Sequence, residues 1–286
     1  MIEKVNVIPL INTSYNTFTK SEKKVADIVL KNPKEALYTS ITDLAEHCEV
    51  GETTVLRFCR KLGFTGYQSF KMTLAQSIQS EGDVDDQLTD EITNEDSLID
   101  VCKKVMNTNI AAINETFDLI NYEALEVAID YMVNAKRIVF FGAGASAITA
   151  HEAKNKFMRI VPYVDFTYDS HTQAMVASLM SEDEVAIAFS YSGSTKDTAE
   201  VLKTARNVGA KTICITRFAK SPITQYSDVV LLSGAKEGPL QGGALSTKMA
   251  QLYLVDILYA EYFRRNIEKS RLNKEKTAEA ISDKLY

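Results

Sequence analysis

Two apolar runs in this chain each end in a short loop of glycine and serine, and few folds use that pattern twice. Ile138-Val139-Phe140-Phe141 leads into Gly142-Ala143-Gly144-Ala145-Ser146. Val185-Ala186-Ile187-Ala188-Phe189 leads into Ser190-Tyr191-Ser192-Gly193-Ser194-Thr195. A continuous apolar run of this kind reads as a strand buried on both faces, and the residues after each loop read as a helix. The amino terminus of a helix presents unpaired N–H groups and the positive end of its dipole, so each loop is a ready anion site. The second loop adds the hydroxyls of Ser190, Ser192, Ser194 and Thr195 but no lysine. That chemistry suits a compact phosphate on a small molecule better than a nucleoside triphosphate.

The same pattern continues around these loops. Strands are expected over 137–141, 163–166, 184–189, 211–216 and 228–232, with helices between most of them. A helical stretch precedes them over about 97–133, and a long apolar helix follows over about 243–263. Strands alternating with helices predict an α/β fold with a five-stranded parallel sheet flanked by helices, whose ligands bind at the carboxyl ends of the strands. A rival reading exists at the first loop. Gly142 to Ala147 fits G-x-G-x-x-A, and Asp165 follows 23 residues after Gly142, as in a dinucleotide site with its ribose carboxylate. A second, hydroxyl-rich phosphate cradle two strands later is not something a dinucleotide fold needs.

Charge divides the 286 residues. Residues 1–80 carry a net +2, residues 81–100 a net −9 and residues 101–286 a net +1, so the overall −6 comes from one short segment. The acidic run Glu81-Gly82-Asp83-Val84-Asp85-Asp86 reads as a solvated linker. The expected organisation is therefore an all-α domain over 1–80, a linker over 81–96 and the α/β domain over 97–286. Cys48, Cys59, Cys102 and Cys214 are scattered, and three histidines are too few for a multi-histidine site, so no metal and no cofactor is expected. No apolar stretch reaches the roughly 18 residues a bilayer requires. The polar Asn6, Asn12 and Asn16 do not fit a signal peptide. The chain is expected in the cytoplasm, with no membrane partner.

In the first 80 residues a helix is expected over 19–31, ended by Pro33. Ser40-Ile41-Thr42-Asp43 has the form of a helix start, and a second helix runs over about 52–62 until Gly63. On that helix Val55, Phe58, Cys59 and Leu62 share one face at i, i+3, i+4 and i+7. Thr53, Arg57, Arg60 and Lys61 lie opposite, with Thr54 beside them. Arginine can bond guanine edges bidentately, and threonine and lysine can reach phosphates, so this face suits a DNA major groove. Ala45 and Val55, ten residues apart, fit the crossing of a helix-turn-helix.

The two loops resemble the signature of sugar isomerase (SIS) domains, which bind phosphosugars. The chain as a whole resembles the RpiR (MurR/RpiR) family of bacterial transcriptional regulators, through 40–45, Thr54-Val55, the run Arg57 to Phe64, Gly66, both loops and the 238–248 segment. The resemblance implies a DNA-binding regulator of sugar metabolism that works as a homodimer or homotetramer on a palindromic operator and takes a phosphorylated sugar as effector. The loop residues so implicated at the ligand are Gly142, Gly144, Ala145, Ser146, Ser190, Ser192, Gly193, Ser194 and Thr195. Glu237, Gln241 and His171 are expected over the sugar, His171 because it follows the sheet's carboxyl edge, and His151 is a further candidate on the same ground. Two departures stand out. Glu49 occupies a turn position where the family often has glycine. SIS isomerases carry a segment like E-x-x-V-A-S-T-K whose glutamate is the base, and counting back from Lys248 places Gln241 there. Glutamine accepts no proton at neutral pH, so a sensor without turnover is expected. An aldose–ketose isomerase using Glu237, and a dinucleotide-sensing regulator, are the alternatives.

Overall fold

The structure, a computed structural model, describes residues 6–80, 92–235 and 245–284. Glu81 to Asp86, Glu237 and Gln241 lie outside the described residues. The chain divides into two units: residues 6–80 and 92–108 belong to one, and residues 109–235 and 245–284 to the other.

The first unit is helical. Its elements are α1 (Val7–Ser14), α2 (Lys20–Lys31), α3 (Pro33–Tyr38), α4 (Ile41–His47), α5 (Glu52–Lys61) and α6 (Tyr67–Ser80). Thr19 and Glu22 form a reciprocal cap at the start of α2, which satisfies two of the N–H groups a helix start leaves open. Pro33 does more than end α2. It is the first residue of α3, where its missing N–H costs nothing, and Asn32 caps that helix. Val25, Val29, Leu44, Val55, Phe58, Phe70 and Leu74 form the core, with the Phe58 ring against Phe18 and Phe70. Cys48 and Cys59 are buried in it. One charge is buried as well: Lys71 is 6 % exposed, donates to the Thr39 carbonyl oxygen at 3.2 Å and lies over the Tyr67 ring.

A further helix, α7 (Leu98–Asp118), carries the exposed Cys102 and runs from the first unit into the second. The helical stretch expected over about 97–133 comprises two helices. It breaks after Asp118, and Asn121 caps α8 (Tyr122–Asn134) by accepting from the Ala124 N–H. The sheet helices then alternate: β1 (Arg137–Gly142), α9 (Ala145–Phe157), β2 (Val164–Phe166), α10 (Ser170–Ser178), β3 (Glu184–Phe189), α11 (Lys196–Asn207), β4 (Lys211–Thr216) and β5 (Val229–Leu232). Two more close the chain, α12 (Leu245–Arg265) and α13 (Ile267–Glu279).

All pairings in the sheet are parallel, and the strand order is β2-β1-β3-β4-β5. The period of two decides which helices cover which face. Ile138, Phe140, Ile187, Phe189, Ile213 and Ile215 pack with Met132, Ala153, Phe157, Leu254 and Leu258 of α8, α9 and α12. Val139, Phe141, Ala186, Ala188 and the buried Cys214 pack with Ala177, Leu202 and Ala205 of α10 and α11. The order has one reversal, between β1 and β3, because the chain visits β2 on one side of β1 and then returns to the other. In an open parallel sheet that point leaves a crevice at the carboxyl edge. No described helix is long and apolar enough to cross a membrane.

Candidate functional site

Both glycine-serine loops open on that crevice. Gly142, the last residue of β1, lies directly across from Phe189, the last residue of β3. The loops therefore leave neighbouring strands side by side. The first turns at Gly144, whose φ of 56° and ψ of −130° belong to glycine alone, and α9 begins at the next residue. Gly142 is needed for closeness: a Cβ there would fall 2.9 Å from the Ser146 carbonyl oxygen. Gly144 and Thr195 stand at the amino ends of α9 and α11, and neither helix has a side-chain cap. Two dipole ends with open first turns thus meet one crevice.

The second loop is braced from below. The Gly193 N–H donates to the Ser190 carbonyl oxygen, and the Gly193 carbonyl accepts from the Ile223 N–H at 2.9 Å. Gly193 has φ 61°, and a Cβ there would lie 2.1 Å from Ser221 Oγ. Thr216 Oγ1 donates to the Tyr191 carbonyl oxygen, and Ser190 Oγ to Thr195 Oγ1. Ser190 is buried, while Ser146, Ser192, Ser194 and Thr195 are half-buried. Gln173 escaped the sequence reading. Buried on α10, it donates from Nε2 to the carbonyl oxygens of Gly142 and Thr167, at 2.9 and 2.8 Å, and so fixes the exit of β1. Its partner stands 31 residues away, and no local spacing signals such a contact.

Neither His151 nor His171 shows a hydrogen bond to the described loop residues. His151 is held by the Tyr168 hydroxyl at Nδ1 and packs on the Phe166 and Tyr168 rings. His171 stands exposed on the first turn of α10, and no hydrogen bond joins it to either loop. Both oxygens of Asp165 are already engaged, Oδ2 accepting from Arg137 at 2.8 Å and Oδ1 from the Phe166 N–H, so a ribose at this carboxylate would share it with Arg137. Among the described residues, no cluster of three or more histidine, cysteine or acidic side chains could hold a metal ion.

The helix-turn-helix lies in the first unit. Ser40 caps α4, accepting from the Asp43 N–H at 2.9 Å. The turn passes through Glu49 at φ 52°, the conformation for which glycine is favoured, and the Val50 N–H then closes on the Ala45 carbonyl oxygen. Thr42 Oγ1 donates to Glu52, which ties α4 to the start of α5. On α5 Val55, Phe58 and Cys59 are fully buried, while Thr53, Arg57 and Arg60 are exposed and Thr54 is half-exposed. Neither arginine is ion-paired to a described residue. Lys61 is exposed as well; its ammonium reaches Glu22 at 3.1 Å and the Thr17 carbonyl oxygen and lies over the Phe18 ring, so it also ties α5 to α2.

Comparison with known proteins places the same two units. The model of the helix-turn-helix domain of the rpiR family matches residues 5–81, and that of the SIS domain matches residues 131–261. An HTH-type transcriptional regulator of Haemophilus influenzae is 36% identical over 98% of each chain. HexR of Escherichia coli, also an HTH-type transcriptional regulator, is 29% identical over 99% of this chain and 96% of its own. The solved structure of Vibrio vulnificus NanR complexed with ManNAc-6P superposes with a TM-score of 0.87 at 27% identity, covering 98% of this chain and all of that one.

Proposed function

This chain belongs to the RpiR family of HTH-type transcriptional regulators, with a SIS domain behind its helix-turn-helix, and from that premise we propose that it binds an operator and senses a phosphorylated sugar. The observation that carries the sensing half is the meeting of two helix amino termini without side-chain caps at the β1–β3 crevice. Ser146, Ser190, Ser192, Ser194 and Thr195, with the N–H groups from Gly142 to Ser146 and around Gly193, hold the phosphate. NanR, which shares the whole fold, is complexed with a sugar phosphate. Each hydrogen bond to a charged group contributes about 1.5–3 kcal/mol, so the phosphate supplies several kcal/mol of the affinity.

In the reading half, residues 1–80 present Thr53, Thr54, Arg57 and Arg60 to the major groove. Residues 81–96 are the linker and 97–286 the sensor. A two-fold assembly on a palindromic site, in the cytoplasm, fits a helix-turn-helix reader. The sensor does not turn its ligand over. By the family resemblance the isomerase base falls on Gln241, which cannot take a proton, and an effector that is consumed cannot report its own concentration. Binding instead favours one of two arrangements with different operator affinity.

Isothermal calorimetry with a panel of sugar 6-phosphates and their unphosphorylated sugars tests this reading. At least one phosphate should bind, with its parent sugar weaker by 100-fold or more, which corresponds to roughly 2.7 kcal/mol. Equal affinity for the two forms would sink it. Aldose–ketose conversion of the bound sugar phosphate, followed by NMR, would overturn the sensor assignment alone.

A further inference from the structure

The chain leaves β5 at Leu232 and passes through Ser233, Gly234 and Ala235. Two residues of α7 hold this exit. Thr116 Oγ1 accepts from the Gly234 N–H at 2.9 Å, and a Glu115 carboxylate oxygen accepts from the Ala235 N–H at 3.0 Å. The approach is close: a Cβ on Gly234 would stand 2.6 Å from the Thr116 nitrogen and 2.7 Å from Glu115 Cβ. Ala235 itself is buried at φ 121°, a backbone conformation that an L-residue keeps only when its surroundings enforce it.

The second oxygen of Glu115 accepts from Arg217 at 2.7 Å, just past the end of β4. Arg217 in turn donates its backbone N–H to the Tyr191 carbonyl oxygen at 3.1 Å. The Tyr191 hydroxyl closes the circuit by donating to the Ala235 carbonyl oxygen at 3.0 Å. Glu115, Arg217, Tyr191 and Ala235 thus form a ring of hydrogen bonds joining α7 to the middle of the 190–195 loop. Anchoring the β5 exit needs only the Thr116 and Glu115 contacts. The ring goes further and engages the residue between Ser190 and Ser192.

We propose that Glu115 is a positioning residue that couples the phosphate-binding loop to α7, so that a ligand drawing in Ser190 and Ser192 moves Tyr191 and, through the ring, changes the state of α7. This rests on the sugar-phosphate reading above. It adds the route by which occupancy leaves the pocket, toward α7, the first helix of the sensor in sequence. A coupling route requires an element whose equilibrium both ends bias, and a shared ring of bonds to one glutamate supplies the physical link.

The test is amide hydrogen exchange on the full chain, free and saturated with the tightest binder from the sugar 6-phosphate panel. In the wild type, ligand should slow exchange in peptides covering 190–195 and, by about threefold or more, in those covering 98–118. Glu115→Gln should bind the same ligand within about threefold of wild type and keep protection at 190–195, while the change over 98–118 falls to near zero. A wild-type response of α7 in Glu115→Gln would overturn the coupling and leave the sugar-phosphate reading intact. No binding of any sugar phosphate by the wild type would overturn both. Should Glu115→Gln melt α7 in the free protein, Tyr191→Phe decides, because it removes one hydroxyl outside the helix. Loss of the α7 response with α7 intact supports the ring, and a retained response refutes it.

Discussion

On α5 the arginines stand in solvent on the face opposite Val55, Phe58 and Cys59, so one helix carries core and candidate contact surface back to back. At the β1–β3 crevice there is no such division. The loops offer backbone N–H groups and hydroxyls, and the backbone angles that make the cradle are the ones that let the loops pack. On the proposed reading both address phosphorylated partners, the α5 face with exposed cations and the crevice with neutral donors fixed in the backbone and the loops. A change on the α5 face should therefore alter binding and spare the fold. A change in the cradle should damage both.

The sharpest way to break this comparison uses two glycines that share a positive φ. Gly193 has Ser221 Oγ where its Cβ would go, whereas Gly63 at the end of α5 has φ 91° and open space around it. Gly193→Ala should cost roughly 3–5 kcal/mol in urea unfolding of the α/β unit, strain and overpacking together, and abolish sugar-phosphate binding. Gly63→Ala should cost only about 1 kcal/mol of strain. Equal costs would show that the cradle is no more constrained than a helix end. The reader is tested next. Arg57→Ala with Arg60→Ala should weaken operator binding by roughly 2–4 kcal/mol and lower the salt slope by about 2, while calorimetric sugar-phosphate affinity stays unchanged.

A smaller effect concerns Lys71, whose burial pushes its pKa down to about 8. The unfolded chain then binds more protons between that value and the ordinary lysine range, so the helical unit gains stability as pH rises from about 8 to 10. Below pH 8 both states are protonated and the full burial penalty is felt. Lys71→Met should stabilise the unit at pH 7 by roughly 1–3 kcal/mol and flatten its pH dependence, measured by urea titration. Least of all, Glu49→Gly should change stability by under about 0.5 kcal/mol. Relief at φ 52° is offset by the wider freedom of glycine in the unfolded chain and by loss of the exposed Lys24 ion pair. A gain above 1 kcal/mol would show that the turn stores more strain than its surroundings indicate.

What the sequence disclosed divides along the same line. The α5 faces and the five strands were legible because periodicity is local, and each strand lies within a residue or so of its expected span. The helices α1, α3, α6 and α13 have no counterpart among the expected spans, and the helical stretch over 97–133 carries no expected break, although Asn121 caps a second helix there. At the cradle the loops themselves were evident from glycine and serine, but their supports were not. Gln173, Thr216, Ser221 and Glu115 act on partners brought near only by the sheet order, and a linear pattern contains no trace of that. Lys61 makes the same point: helical phase places it outward and it is exposed, but its pairing with Glu22, 39 residues away, has no local trace.

The placement of the four cysteines gives the protein a built-in clock for the opening of each unit. Burial pushes the thiols of Cys48, Cys59 and Cys214 up to about 11, 12 and 12, and a thiol must be both uncovered and ionised to react. A disulfide dye should therefore label Cys102 at once. It should reach Cys48 and Cys59 only when the helical core opens, and Cys214 only when β4 parts from its neighbours. Labelling followed residue by residue in time would report the two lifetimes separately in one tube, and adding the sugar phosphate should slow the Cys214 reaction while leaving the other buried pair at its own pace.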